Sequence, residues 1–488
     1  KTARIYFALH HLIVDAVSWR ILLEDIRTLY EGLDLESKQT SYRQWVEVLK
    51  TYTEKNKAEL NYWQEIQSDQ EDHERLAKEL IKNEVQFTEI ELEKGLTKEL
   101  ISKANQAYHT EINDLLLTGL GYALKDWSGK ETNHITLEGH GREAIREDVD
   151  LSKTVGWFTI KYPVKLRTHE TLDQSIKCIK EDLRKIPDKG LSYGLLSQEI
   201  SEEKSSKDSQ EAFKSLPLIS FNYLGQFDSQ EGQWQVVAED RGQPVSKGYQ
   251  DSNIININGM VVGGKLKFTI SSKLPKSEHA LLSKALKSQL KEITTHCLEK
   301  VKNKEQEYTP SDFDAQINQE LLDKLQIESR LTKNLIEKIY PANSLQQGFI
   351  YHALSQSEDD AYRVQLLLDY HNKINVESYK QAWDLAIKSY PILRTSFNWE
   401  ESLIQIIHSK GNLNFTYHDL SKESLTKEER DTKIRELQEE DRKQGFDLTK
   451  PSQLRLYLIK HNDTHYTLLR SEHHSISDGW SGPILLNK

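Results

Sequence analysis

The sequence has 488 residues, of which 37% are hydrophobic and 29% are charged. One hydrophobic core stops growing beyond about 250–300 residues, so we expect at least two packed units, and more readily three. No apolar run reaches the ~20 residues that span a bilayer. The net charge of −11, without a long basic stripe, argues against nucleic-acid binding.

The two cysteines, Cys178 and Cys297, are far apart in sequence and predict neither a disulfide framework nor a zinc site. We interpret both as structural thiols of a cytoplasmic protein, because a reducing compartment keeps thiols free. The chain begins with neither a signal peptide nor an initiating methionine. Because both ends look like cuts through folded sequence, we expect a fragment.

A long-range repeat is the first informative pattern. The letters HHLIVDA (the first motif) begin at His10, and the letters HHSISDG (the second motif) begin at His473, 463 positions later. This spacing is too long for a solenoid period and fits two copies of a large unit.

Each copy of the motif is predicted to join a strand to a helix. Residues 5–9 and 466–469 are short apolar runs of strand length ahead of the two motifs. After the first motif, Ser18 can cap a helix that ends at Gly32. After the second, Ser481 is the candidate cap. The histidine pairs are therefore expected on loops, where polar side chains can face a cleft.

The remaining elements are predicted from periodicity and composition. In chain order they are an amphipathic helix over 42–66, a polar surface connection over 67–84, a strand, a helix and a strand from about 87 to 137, strands over 216–220 and 265–270, a linker over 301–335 with one docked helix around 321–325, and a solvated helix over 428–445 that ends at Gly445. A new folded unit is predicted from near Ile339, after the Lys-, Glu- and Gln-rich linker.

A histidine pair followed by an aspartate has a chemical logic. Histidine can take or hold a proton near neutral pH, and the carboxylate can hold the loop, for example by pairing with an arginine. A single copy is as readily a core histidine pair or half of a metal site. Two copies in matched settings favour a functional role, and neither copy has a nearby third ligand at the usual metal spacing.

Two further clusters carry polar groups at the ends of predicted strands. Glu138 follows one strand in the segment LEGHGRE (137–143), where two glycines flank His140 and permit a tight backbone. The alternative is a surface turn with a Glu–Arg pair. Asn222 and Tyr223, in the segment FNYLGQFD (221–228), can form hydrogen bonds in a site, or simply end a strand.

At this point the motifs resemble those of a known enzyme family. The ordered segments HHLIVDAVSWRILLED, LEGHGRE, TVGWFTIKYPV, KGLSYGLL and FNYLGQFD resemble the epimerization domain of non-ribosomal peptide synthetases, over residues 1–300. The segments YPANSLQQGFIYHAL, LRTSF and HHSISDGWS resemble the opening of a condensation domain of the same enzymes, over residues 336–488. Because the two domain types are related, the resemblance also explains the repeat.

The resemblance implies an α/β fold of the chloramphenicol-acetyltransferase-like, two-lobed type, with the site in the tunnel between the lobes. By this comparison, residues 1–300 are an epimerization domain that lacks most of its N-terminal lobe, residues 301–335 are the linker, and residues 336–488 are the N-terminal lobe of a condensation domain. Carrier, adenylation and thioesterase motifs are absent from the sequence.

The resemblance also implies roles for individual residues. His11 and Glu138 become the acid and base of an epimerase acting at Cα of a carrier-bound aminoacyl or peptidyl thioester, and His474 becomes the catalytic histidine of peptide-bond formation with a D-configured donor. The supporting residues implied are His10, Asp15, Arg142, Asn222, Tyr223, His473, Asp478 and Gly479. No metal or directly bound cofactor is expected, because the substrates travel on the phosphopantetheine of carrier domains. The expected partners are carrier and adenylation domains of the same synthetase, with neither nucleic acid nor membrane.

Two departures from the family pattern are visible. Ala16 stands where the first motif usually ends in glycine, and Ala342-Asn343 replaces the more usual small apolar and Ser/Thr pattern. Two other functions stay open at this stage. One is a stand-alone acyltransferase with a CoA-linked donor, and the other is a non-catalytic domain that docks carrier proteins, for which Ala16 is the sequence support.

Overall fold

The computed structural model describes residues 4–70, 78–80, 82–202, 215–226, 242, 245–246, 248–249, 251–356 and 361–486. It divides the chain into two compact units, Lys1–Glu307 and Tyr308–Lys488. The predicted connection over 67–84 lies partly outside the described residues, as do Phe227 and Asp228 of the segment FNYLGQFD.

The first unit is built around one mixed sheet of six strands. Its helices are α1 (Ala16–Tyr30), α2 (Tyr42–Lys55), α3 (Leu60–Ser68), α4 (Lys94–Ser102), α5 (Ile112–Ser128), α6 (Leu172–Arg184), α7 (Leu191–Glu202) and α8 (Lys276–Asn303). Its strands are β1 (Gln86–Glu91), β2 (Thr132–Gly139), β3 (Ile160–Arg167), β4 (Ile219–Gln226), β5 (Ile255–Val262) and β6 (Lys265–Ser272). They lie in the order β1-β6-β5-β4-β2-β3, with β2–β4 and β4–β5 parallel and the other pairs antiparallel.

The main core of this unit lies between the sheet and its helices. Helix α5 is apolar around most of its circumference, as a helix buried on several sides must be. It packs on α6, on α8 and on the sheet, and Leu115, Leu116, Leu117 and Leu120 are fully buried. The alternating burial of β6 confirms the half-buried strand predicted over 265–270.

The limits of two predicted elements of the first unit were wrong, and so was the number of helices between β1 and β2. The helix predicted over 42–66 is interrupted at Asn56, whose side-chain amide donates to the Tyr52 carbonyl and competes with the helical backbone. The strand predicted over 216–220 begins only at Ile219, because Pro217 has no amide hydrogen to donate to a neighbouring strand. Two helices, α4 and α5, lie between β1 and β2 instead of one.

The apolar run 5–9 was predicted as a strand, and the described residues form none there. A strand needs a neighbour for its backbone hydrogen bonds. Its counterpart, the strand His465–His473, lies between two strands in the second unit, whereas Ile5 and Tyr6 are exposed. Whether such an apolar run forms a strand therefore depends on pairing with strands distant in sequence, and the local sequence does not show whether that pairing occurs.

The second unit carries two sheets. Its helices are α9 (Gln319–Leu331), α10 (Ser344–Ser355), α11 (Val376–Ser389), α12 (Lys427–Gln444) and α13 (Ser481–Leu486), and its strands are β7 (Ile336–Pro341), β8 (Arg363–Tyr370), β9 (Thr395–Asn398), β10 (Ile404–His408), β11 (Asn414–Asp419), β12 (Leu454–Asn462) and β13 (His465–His473). The strand orders are β7-β10-β9 and β11-β12-β13-β8. The second motif follows β13, an interior strand, which confirms the strand predicted over 466–469.

The predicted linker over 301–335 is largely built into the two units. Its first residues end helix α8, and the boundary between the units falls at residues 307 and 308. Helix α9 contains the docked helix predicted around 321–325. Leu321 and Leu322 are buried against Ile339 and Ile404, so the apolar face of α9 joins the core of the second unit. The domain limits themselves stay a prediction.

Helix α12 confirms the charged helix predicted over 428–445, with Gly445 at its end. One of its charges is not on the surface, because Asp441 is only 2% exposed. Its carboxylate accepts from Arg455 Nε at 2.6 Å and from the Tyr457 hydroxyl at 2.9 Å, and this outweighs the cost of burial. The buried carboxylate therefore attaches α12 to strand β12.

Among the described residues, no helix combines the length and the apolar composition needed to cross a bilayer.

Candidate active site

The first motif forms a short, exposed turn ahead of helix α1. His10 precedes a 3-10 turn at His11–Ile13, and its Nδ1 atom accepts from the Leu12 amide at 3.2 Å. The His11 ring lies beside the Trp157 ring, with 5.7 Å between centroids. The first histidine therefore shapes the turn, and the second presents its ring outside it.

Asp15 begins helix α1 by accepting from the Ser18 amide at 2.7 Å. Ser18 was predicted as the cap, and that was wrong. The Ser18 hydroxyl instead donates to the Gly156 carbonyl at 2.9 Å, because it is fully buried against the segment that follows. Aspartate and serine both cap helices well, so the sequence alone did not decide between them.

Arg142 joins the first motif to the segment 151–158. Its Nη2 atom lies 3.1 Å from one Asp15 oxygen, and its Nη1 atom donates to the carbonyls of Leu151 at 2.9 Å and Thr154 at 2.6 Å. Burial raises the pKa of Asp15, but the hydrogen bonds from Ser18 and the charge of Arg142 outweigh burial and hold that pKa below its ordinary value. The structure thus brings together Asp15 and Arg142, two residues that the resemblance named as supporting residues.

Gly141 allows this arrangement by its backbone conformation. Its φ is +65°, in the left-handed region, and a Cβ atom there would lie 1.8 Å from the Phe158 carbonyl oxygen. His140, beside it, accepts from the Arg142 amide at 3.0 Å through Nδ1 and is half-exposed. The glycine is therefore required for close approach of two backbones, while His140 only shapes the turn.

Glu138 lies on β2 in a row of polar side chains that crosses adjacent strands. Lys161 is its register partner on β3, and Asn222 is its neighbour on β4. Lys161 Nζ lies 3.0 Å from Glu138 Oε1, and Asn222 Nδ2 donates to Oε2 at 2.7 Å. Both carboxylate oxygens are thus engaged. The Glu138 side chain is 21% exposed, so solvent and a substrate can reach it.

Tyr223 lies on the opposite face of β4 from Asn222, because successive side chains of a strand alternate. It packs against the main core, and burial raises the pKa of its hydroxyl. The structure therefore brings Asn222 to Glu138 and turns Tyr223 away. Period-two alternation was the available signal for this difference.

The second motif repeats the turn around a buried first histidine. His473 is only 5% exposed, and its Nδ1 atom accepts from the Ser475 amide at 3.2 Å, as His10 Nδ1 does from Leu12. Burial, with the charges of Arg363 and His474, lowers the pKa of His473 to about 4. His473 is therefore neutral at physiological pH and has a structural role.

His474 is held in one tautomer. Its Nδ1 atom lies 2.6 Å from the Ser477 carbonyl oxygen, which can only accept, so Nδ1 carries the hydrogen. In the neutral ring, Nε2 then has a free lone pair. The ring stacks on Phe349 with 4.9 Å between centroids, which fixes its plane. His474 is thus arranged as a proton acceptor at Nε2.

Asp478 lies three residues ahead of helix α13 and accepts from the Ser481 amide at 2.9 Å and the Ser481 hydroxyl at 2.8 Å. These bonds lower the pKa of Asp478. Ser481, which was predicted as the cap, is the first residue of α13. In the described part of the second unit, Asp478 is exposed and has no arginine partner like Arg142.

The last motif position does not require glycine. An added Cβ at Gly479 meets no atom within 4 Å, and its φ lies outside the left-handed region. Ala16, its counterpart, is the exposed first residue of α1. The departure at Ala16 therefore has no steric cost in the described residues.

A support of the second motif was missed from the sequence. Arg470 and Glu472 are both buried, and Arg470 Nη2 lies 2.7 Å from Glu472 Oε1. That same oxygen accepts from the Ser477 hydroxyl at 2.6 Å, and the Ser477 carbonyl holds His474. The counterparts in the first copy are Phe7, Leu9 and Val14, so only the second copy has this network. The signal available in the sequence was the Arg-x-Glu pattern directly before the motif.

The comparisons with known proteins agree with this pairing of motifs. The condensation-domain family model matches residues 1–317 and 336–488. One component of the mycosubtilin synthase of Bacillus subtilis is 35% identical over 98% of this chain and 19% of its own length. Bacitracin synthase 3 from Bacillus licheniformis is 34% identical over 98% of this chain and 8% of its own length. The chain thus spans less than a fifth of these relatives.

A solved structure resembles a large part of the chain. It is the crystal structure of the epimerization domain from the third module of tyrocidine synthetase B, which is 32% identical, has a TM-score of 0.52, and covers 60% of this chain and 69% of that one. The α/β fold class of the chloramphenicol-acetyltransferase-like type is thereby confirmed.

Proposed function

The chain belongs to the condensation-domain family of non-ribosomal peptide synthetases, and on this premise we propose that its first unit epimerises the Cα of an aminoacyl or peptidyl thioester. The thioester is carried on the phosphopantetheine of a carrier domain of the same synthetase. The similarity to an epimerization domain at 32% identity supports this choice for the first unit.

The observation that carries the proposal is that the first unit has a carboxylate, Glu138, in addition to the motif histidine His11. Inversion at Cα needs one group to remove a proton and another to return it on the other face. His11 is exposed beside Trp157, and Glu138 is partly exposed on the sheet. The first unit therefore has two candidate proton-transfer groups in addition to the structural His10.

The proposed step transfers one proton in each direction. One of the pair His11 and Glu138 removes the Cα proton, and the electron pair of the C–H bond moves into the thioester as an enolate. The other group then donates a proton to the opposite face of Cα, and the enolate returns to the thioester. No oxidant is needed. Asn222, which donates to Glu138 at 2.7 Å, orients that carboxylate.

The test is exchange of solvent deuterium into Cα of a carrier-bound aminoacyl thioester, in the synthetase polypeptide that carries this chain. His11→Ala and Glu138→Gln should each suppress exchange by about 100-fold or more, the usual contribution of a general acid or base. Glu89→Gln, which removes a half-exposed carboxylate of the same sheet, is the matched control. Wild-type exchange in both site variants would refute the assignment of these two residues.

For the second unit, the arrangement of His474 favours peptide-bond formation. The amine of a downstream aminoacyl thioester attacks the carbonyl of the upstream peptidyl thioester, the C–S bond breaks, and the amine loses a proton. His474 Nε2, free because Nδ1 donates to Ser477, accepts that proton or positions the amine. A CoA-linked donor is the alternative, and the competition of CoA and carrier thioesters in one assay distinguishes the two.

The order of the two units gives the proposed reaction sequence. Because the first unit is proposed to supply an epimerised thioester, the second is proposed to use a donor that ends in a D residue. Carrier domains present both substrates, and adenylation domains load them. In this proposal neither site holds a cofactor of its own.

A further inference from the structure

We propose that Lys161 is a positioning residue for the first site: its ammonium group holds Glu138 as an oriented carboxylate during proton transfer. The inference rests on the proposed epimerase function and deepens it. Lys161 was not among the site residues named from the sequence, which included no lysine.

The evidence begins with the contacts of the Glu138 carboxylate. Lys161 Nζ lies 3.0 Å from Oε1, and Asn222 Nδ2 lies 2.7 Å from Oε2. A cation thus contacts one oxygen and an amide donor contacts the other. Two donors on two different oxygens fix the rotation of a carboxylate, whereas a single contact leaves the group free to turn.

The sheet register supports this contact. Lys161 and Glu138 are paired residues of the antiparallel strands β3 and β2, and Leu137 is paired with Phe221 of β4, which brings Asn222 alongside. Side chains on one face of paired strands are neighbours because the backbone spacing makes them so. The contact is therefore built into the sheet and does not depend on a mobile loop.

The exposure of the two side chains suits a group that works without leaving the site. Lys161 is 49% exposed and Glu138 is 21% exposed. Lysine has three donors and no acceptor, so it can hold the carboxylate but cannot remove a proton while charged. Each carboxylate oxygen keeps a second lone pair, which leaves room for the Cα proton. Lys161 therefore orients the carboxylate during the transfer without itself giving or taking the proton.

The same segment links Lys161 to the first motif. Trp157, four positions earlier, lies beside the His11 ring, and the Phe158 amide donates to Asp15 at 3.2 Å. The residues that contact His11, Asp15 and Glu138 thus follow one another in the segment 157–161. A change in this segment reaches both proposed proton-transfer groups.

The first experiment measures kcat and KM for Cα epimerisation with a carrier-bound aminoacyl thioester, in the synthetase polypeptide that carries this chain. Lys161→Met keeps the apolar stem and removes the charge. We expect kcat to fall about tenfold with KM within about twofold of wild type, because the contact acts on the chemical step. Lys161→Arg should restore kcat to within about threefold, because arginine keeps the cation.

The matched control is Lys267→Met. Lys267 lies on β6 of the same sheet, is 36% exposed and lies 3.1 Å from a Glu89 oxygen and 3.4 Å from a Glu91 oxygen, so this variant removes lysine–glutamate contacts away from the proposed site. We expect wild-type kcat. An equal loss in Lys161→Met and Lys267→Met would overturn the proposal, because it would show a general effect on the sheet.

A double variant distinguishes this inference from the proposed function. If Lys161 acts through Glu138, then Glu138→Gln with Lys161→Met should be no slower than Glu138→Gln alone. Full activity of Lys161→Met beside an inactive Glu138→Gln overturns the role of Lys161 and leaves the function intact. Full activity of Glu138→Gln overturns the proton-transfer role of Glu138, whereas a wild-type polypeptide that does not epimerise overturns the function itself. Loss of activity in both Lys161→Met and Lys161→Arg would assign proton transfer to Lys161 and also overturn the positioning role.

Discussion

Arg142 contacts both carboxylate oxygens of Asp15, at 3.1 and 3.2 Å, across 127 residues of sequence. The two side chains are 6% and 3% exposed. The same arginine donates to the carbonyls of Leu151 and Thr154. The pair therefore holds the first motif and the start of α1 against the segment that follows β2.

The first prediction concerns this pair. Arg142→Ala leaves the Asp15 carboxylate buried without its cation, which typically costs about 3–5 kcal/mol. We expect the amides of α1 to exchange with deuterium much faster, while those of β5 and β6 keep their protection. The measurement is hydrogen–deuterium exchange resolved by segment.

The control for this prediction is Arg146→Ala. Arg146 lies in the same segment as Arg142 and pairs with Asp148, but both of these side chains are at least half exposed. Exposed ion pairs contribute little to stability, so α1 exchange should be unchanged. Unchanged α1 exchange in Arg142→Ala as well would contradict the structural role of the buried pair.

The second prediction concerns Gly141. Gly141→Ala adds a Cβ 1.8 Å from the Phe158 carbonyl oxygen and forces alanine into a left-handed conformation, which alone costs about 1–2 kcal/mol. We expect a lower melting temperature of the first unit and loss of its ability to exchange solvent deuterium into Cα of the substrate. Gly95→Ala is the control, because an added Cβ there meets no atom within 4 Å and α4 favours alanine. Equal melting temperatures for the two variants would contradict the close contact.

Local patterns in the sequence predicted the elements whose stability is local. The alternation of Lys265–Ser272 and the glycine after the charged helix α12 are both readable from neighbouring residues. The sequence offered an arginine as one possible partner of the motif carboxylate, and the family resemblance named Asp15 and Arg142 as supporting residues. Helix ends were less predictable, since Asp15 and Ser18 are both good caps.

Contacts that depend on strand register were not predictable. Lys161 reaches Glu138 only because β3 pairs with β2 in one register, and a shift of one residue would turn it to the other face. Residues 5–9 have strand-like letters but no strand beside them among the described residues. Tyr223 was grouped with Asn222 by sequence adjacency, and alternation separates them.

The third prediction is a pH dependence of the second unit. The pKa of His473 is lowered by burial from its ordinary value of 6.5 to about 4. Between about pH 4 and pH 6.5, His473 is therefore protonated in the unfolded chain and neutral in the folded chain. Stability is full above pH 6.5 and falls as the pH is lowered towards 4, by at most about 1.4 kcal/mol per pH unit. Hydrogen–deuterium exchange of the β13 amides at pH 7 and pH 5 measures it.

The control for the pH prediction is His473→Asn. Asparagine can accept from the Ser475 amide near the position of Nδ1, but it does not take up a proton in this range. We expect the variant to lose part of the difference between pH 7 and pH 5. If wild type and variant change equally, the pH dependence arises elsewhere.

The fourth prediction concerns the donor of the second unit. With matched peptidyl thioesters that end in a D or an L residue, we expect faster peptide-bond formation from the D donor. His474→Ala should slow both reactions by about 100-fold or more, whereas His371→Ala, an exposed histidine of the same unit, should not. Equal or better use of the L donor would refute the preference, and an active His474→Ala would refute the role of His474.

The two proposed proton-transfer groups of the first unit lie on elements that differ in local stability. Glu138 lies on a strand paired on both sides within a six-stranded sheet, whereas His11 lies in an exposed turn of three residues. Elements with few buried contacts open at lower free energy than the core. Heating should therefore inactivate the first unit before it denatures it. Mutations that raise the melting temperature of the sheet would leave the inactivation temperature unchanged. To raise the inactivation temperature, mutations would have to stabilise the turn that carries His11.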